Sequence, residues 1–98
     1  MLLERCVVSR KTPRDGKLEI TEDAATIMRP HHRLVVELRG TIASARLDSM
    51  TCGCRGSSDP HIHYFLEAEL LKSLRPEAHV ALEMAEATGT ISVIEERS

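Results

Sequence analysis

The segment Cys52-Gly-Cys54-Arg-Gly-Ser-Ser-Asp59-Pro-His61-Ile-His63 gathers two cysteines and two histidines within twelve residues, in the pattern C-x-C-x6-H-x-H. Thiolate sulfur and imidazole nitrogen are the usual ligands of a tetrahedral zinc ion. Residues two apart on a strand share a face, so Cys52 projects with Cys54 and His61 with His63. One antiparallel register across loop 55–60 sets Cys54 opposite His61 and Cys52 opposite His63. All four side chains then share a face, with opposed Cβ atoms about 4.5–5.5 Å apart. The spacing therefore predicts a zinc site formed by Cys52, Cys54, His61 and His63. Four protein ligands close the metal and give it a structural role, whereas three leave a position for water and Lewis-acid or hydrolytic chemistry. Asp59 is near enough in sequence to accept the remaining ring N–H of a ligating histidine.

Other chemistry uses the same residues. Cys52-Gly-Cys54 is a candidate redox dithiol, or one cysteine is a nucleophile with His61 or His63 as its base and Asp59 orienting the imidazole. That reading makes the chain a metal- or thiol-dependent enzyme. The plain alternative is a polar hairpin whose cysteines and histidines hold nothing. The stretch Cys52-Gly-Cys54-Arg-Gly-Ser57 also resembles the opening of the CDGSH-type motif, C-x-C-x2-S/T, which implies an iron–sulfur cluster as the second cofactor reading. Here the proline falls one position early and the following Cys-Asp-Gly is missing.

Composition bounds the rest. Ninety-eight residues, 42% hydrophobic and 29% charged, suit one globular domain spanning 1–98. Tyr64 and Phe65 are the only aromatics of the Phe, Tyr and Trp class, so the core must be aliphatic and stacking of nucleic-acid bases is disfavoured. A net charge of −2 supplies no general field for phosphates, which makes nucleic acid an unexpected partner. Basic candidates for an anion contact are Arg10, Lys11 and Arg14, and the segment Arg29 to Arg33, whose His31-His32 reads as a solvated pair. No apolar run approaches the ~20 residues that span a bilayer, and the charged N-terminal stretch is not expected to act as a signal peptide. An odd count of three cysteines fits a reducing compartment, so a cytoplasmic location is expected. A homodimer is expected as well, because a small barrel with few aromatics buries more apolar surface by pairing.

The elements that must carry the Cys/His cluster are mostly strands. Residues 2–9, 17–20, 34–38, 41–47 and 62–66 have strand character, and residues 80–84 and 91–93 alternate. Thr12 to Gly16 reads as a turn or loop. Thr21 caps a helix that ends by Met28, ahead of Pro30. Leu66, Leu70, Leu71 and Leu74 have the spacing of a second short helix ended by Pro76. Glu86 to Gly89 is a hairpin turn. The fold class is mainly β: a small six- to seven-stranded barrel or barrel-like sheet with one or two short helices.

Residues 18–38 and 64–84 align at an offset of 46, with Arg29-Pro30 on Arg75-Pro76 and Glu37 on Glu83. This suggests a pseudo-twofold β-β-α-β repeat with units of about 1–40 and 41–98. The element order resembles the cradle-loop barrels, which include double-psi, RIFT and swapped-hairpin types. That resemblance implies a barrel and a DNA-binding alternative, a swapped-hairpin-like regulator using Arg10, Lys11, Arg14 or Arg33.

Overall fold

A computed structural model describes residues 1–52 and 61–96. Seven strands alternate with short helical pieces. In chain order they are β1 (Leu2–Val7), α1 (Lys11–Asp15), β2 (Lys17–Ile20), α2 (Glu22–Met28), β3 (Leu34–Leu38), β4 (Thr41–Cys52) and β5 (His61–Glu67). A 3-10 turn at Glu69–Ser73, β6 (His79–Ala85) and β7 (Thr90–Glu96) complete it. The strands form one sheet in the order β1-β6-β7-β3-β4-β5-β2, rolled into a nearly closed barrel. All pairings are antiparallel except β3 with β7. The expected β-rich barrel is therefore present, with seven strands.

Alternation in the sequence becomes the two faces of this sheet. Leu34, Val36 and Leu38 of β3 point inward beside Val80, Leu82 and Met84 of β6 and Ile91 and Val93 of β7. Leu18 and Leu66 join them from β2 and β5, and Met28 caps the core from α2. The core is aliphatic, as the near absence of aromatics requires. Thr21 caps α2 by accepting from the Ala24 amide (3.2 Å). The Thr21 amide donates to Glu4 (3.2 Å), a side-chain tie from β1 to the end of β2, the two edge strands of the sheet.

Three local readings change. The stretch Thr12 to Gly16, expected as a turn or loop, falls on one turn of helix, Lys11–Asp15, that ends at Gly16 in the left-handed conformation, φ 72°. A Cβ there would sit 2.7 Å from the Ala68 carbonyl oxygen, so the close approach of this turn to the chain after β5 requires glycine. The helix expected from Leu66 onward does not start at Leu66. Leu66 lies in β5, between Leu18 of β2 and Leu47 of β4, and only Glu69–Ser73 turns, as 3-10. The first strand ends at Val7, two residues short of the stretch predicted for it, and the fourth runs on to Cys52.

The length of β4 positions the site. Its first part, Thr41 to Ala45, pairs with β3 through a two-residue turn at Arg39-Gly40, both at positive φ. Such mirror-image turns match the twist of the flanking strands. From Arg46 to Cys52 the strand leaves β3 and pairs with β5 alone. Because β2 reaches only Tyr64 on the other side of β5, residues 50–52 and 61–63 form a two-stranded arm beyond the barrel.

Candidate metal site on the β4–β5 arm

Register across the arm is set at its barrel end. Leu47 lies opposite Leu66, Asp48 opposite Phe65 and Arg46 opposite Glu67. Carried outward, the same register sets Met50 opposite His63 and Cys52 opposite His61. This differs by two residues from the pairing predicted from the motif. A two-residue slip keeps every side chain on its face, so the Cys/His pattern could not detect it. The slipped register would set Ser49 against the fully buried Leu66; the observed one places Leu47 there. Apolar pairing at the core decides the match, and the connection between the strands spans 53–60.

His61 and His63 are brought together on one face of β5. Their rings meet edge to face with centroids 5.0 Å apart. His63 Nδ1 lies 2.8 Å from a carboxylate oxygen of Glu19 on β2. A carboxylate only accepts, so Nδ1 carries the proton and Nε2 presents a lone pair when the ring is neutral. Glu19 thus holds the His63 ring through a carboxylate contact of the kind expected of Asp59, which lies outside the described residues. Its outward direction is readable from the alternation of Lys17-Leu-Glu-Ile; that it faces His63 depends on β2 pairing with β5, which no local pattern encodes.

Cys52 is the last residue of β4 and its backbone faces His61. Cys54 and Asp59 lie outside the described residues. Among the described residues, no group of three or more histidine, cysteine or acidic side chains converges on one point.

The face that carries the histidines continues down the barrel as an ionic lattice around Phe65. Lys17 pairs with Asp48 at 3.1 Å and lies over the Phe65 ring, 6.0 Å from its centroid. Arg46 pairs with Glu67. Together these long side chains leave Phe65 only 5% exposed although it points away from the core. The Lys17 hydrogen bond, helped by the Ser49 amide, holds the Asp48 carboxyl below its usual range.

The other reactive and basic residues are dispersed. Cys6 in β1 packs against the core, and burial, reinforced by the Glu4 charge, pushes its thiol up to about 12. Such a thiol is a poor nucleophile at neutral pH. Arg14 on α1 is paired with Asp15, while Arg33 precedes β3 on a different element from Arg10, Lys11 and Arg14. Arg29 lies over the Tyr64 ring, 5.8 Å from its centroid. No helix among the described residues is long and apolar enough to cross a membrane. No protein-family model matches the chain, and no curated protein matches it.

Proposed function

We propose that the β4–β5 arm is a structural zinc site, with Cys52, Cys54, His61 and His63 as the ligands and Glu19 orienting His63. The observation that carries this reading is the pair of adjacent imidazoles with one held by a carboxylate. Two imidazoles on one tetrahedral zinc, with bonds near 2.0–2.1 Å, place their ring centroids about 5 Å apart, and His61 and His63 already have that separation. A ligating histidine characteristically donates its other N–H to a carboxylate, as His63 does to Glu19.

The arm also has a physical need for such a clip. A two-stranded ribbon on its own is marginally stable in water. Beyond Tyr64 the arm has no third strand among the described residues, and its apolar residues Met50 and Ile62 are half exposed, at 50% and 51%. Little burial holds it closed, so bonds from one metal to both strands would supply the missing stabilisation. An iron–sulfur cluster and thiol or hydrolytic catalysis at the same residues are the competing readings. The cradle-loop kinship and its DNA contact through Arg10, Lys11, Arg14 or Arg33 belong to proposal as well. Support for an internal twofold comes from the β2–β5 register, where Leu18 pairs with Leu66 and Ile20 with Tyr64. These four positions are exchanged by the offset of 46. A homodimer remains part of the proposal, measured by sedimentation.

Elemental analysis of protein purified without a histidine tag tests the zinc assignment. One zinc per chain, with two thiols masked until a chelator is added, is the expected result. Metal-free protein with a fast-alkylating Cys52 or Cys54 would contradict it.

A further inference from the structure

A second site lies away from the metal arm, where β4 parts from β3. Past Ala45 no strand among the described residues flanks β4 on that side, and a groove of about 300 Å³ opens between it and the segment that follows α2. The buried side chains of Met28 and Leu34 give it an apolar floor, and Arg29, His31 and His32 stand around it. A second hollow shares His32, Leu34 and Ala45 with the first and adds Arg33 and Ser44. No acidic residue lines either.

The charges here are uncompensated in a protein whose net charge is negative. Four other arginines are engaged, Arg5 with Glu96, Arg14 with Asp15, Arg39 with Glu95 and Arg46 with Glu67, while among the described residues Arg10 and Arg75 are not. Arg29 and Arg33 form no ion pair with any described residue. The Arg29 side chain and the Arg33 backbone are also placed by their neighbours. Arg29 is laid over Tyr64, and the His31 amide donates to the Met28 carbonyl (3.0 Å). Gly89, at φ 73°, lets the β6–β7 turn close on this segment. A Cβ on it would lie 2.9 Å from the Arg33 carbonyl oxygen and 3.1 Å from His31 Nδ1.

We infer that these two adjoining hollows bind a compact organic phosphomonoester, its phosphate held between Arg29 of the first and Arg33 of the second with His31 and His32 beside them, and its body on the Met28–Leu34 floor. Guanidinium forks approaching from two positions suit the three terminal oxygens of a phosphate. The volume lies at the lower end of the range of small-ligand pockets, and half of the lining residues are Arg or His, which suits a small charged ligand. A long polyanion would meet the opposing net charge beyond the groove.

Backbone amide NMR of the zinc-loaded and the chelated protein, titrated with adenosine 5′-monophosphate, tests the assignment independently of the metal. The expected result is saturable shifts confined to residues 28–34 and 44–47, alike in both forms. Adenosine should produce none. R33Q, which changes an exposed side chain, should weaken binding about tenfold, the order expected for losing one charge-assisted contact; R10Q should leave it unchanged. R29Q should weaken it similarly while the spectrum stays folded. No saturable shift at millimolar ligand, equal binding of adenosine, or indifference to R33Q would overturn the proposal. So would steeply salt-dependent binding of a single-stranded oligonucleotide in the groove without binding of the monophosphate.

Discussion

At the barrel end of the β4–β5 ribbon Leu47 faces Leu66, and Leu66 is completely buried; at the free end Thr51 faces Ile62, which is half exposed. The two ends share strands, hydrogen-bond pattern and register. They differ in what holds them closed. The barrel end is flanked by β2 and joined to the aliphatic core, so burying apolar surface stabilises it. The free end has no third strand among the described residues, and His61 and His63 stand there. Where the core ends, the cysteines and histidines begin, and in the proposed account zinc does at the tip what leucine does at the base.

Breaking the barrel end should have the largest effect. Leu66→Ala leaves a cavity at a site without slack and should lower unfolding free energy by roughly 2–5 kcal/mol, read by denaturant titration. It would not by itself alter the zinc stoichiometry of the protein that remains folded. Breaking the free end should do the reverse. His63→Ala should abolish stoichiometric zinc while the far-UV spectrum and the β1-β6-β7-β3 amides stay native. A cooperative collapse of the whole barrel in that variant would show that the two ends are not separable.

Glu19→Gln sharpens the comparison, because it alters neither ligand nor core. Loss of the carboxylate behind His63 should weaken zinc about 10–100-fold, measured by competition with a chromophoric chelator, with little change in the metal-free protein's stability. The thiols divide in the same way. Cys6, pushed up to about 12 by burial, should resist alkylation in the folded protein at pH 8, whereas Cys52 and Cys54 should react once zinc is removed. Rapid modification of Cys6 would contradict its packing at β1.

The smallest effect is at the ionic lattice between the two ends. Asp48 is held below the usual carboxylate range by Lys17, so its folded value lies under its unfolded one. Its contribution is present above the ordinary carboxylate range and fades as pH falls through the lowered value. Asp48→Asn should remove that part of the acid dependence of stability and leave stability at neutral pH and moderate salt nearly unchanged, since exposed pairs contribute little.

Local chemistry made much of this architecture legible. Leu34, Val36 and Leu38 alternate and are buried in alternation; Thr21 caps the helix that its position before two acidic residues announces. What eluded the sequence depends on distant partners. Leu66 has the spacing of a helix with Leu70, but two strands compete for it, and Leu18 and Leu47 secure it in the sheet. The Cys/His pattern has period two and is blind to a two-residue slip, so the match of Cys52 to His61 was decided by leucines at the other end of the strands. Glu19 lies 44 residues from His63 and became its partner only through the β2–β5 pairing.

The central claim is that metal, not burial, closes the arm. Amide hydrogen exchange with and without zinc tests it most directly. The account predicts that amides at 50–52 and 61–63 are protected only in the zinc-loaded protein, while those of β3, β6 and β7 are protected in both. Equal protection of the arm in the two states would contradict it.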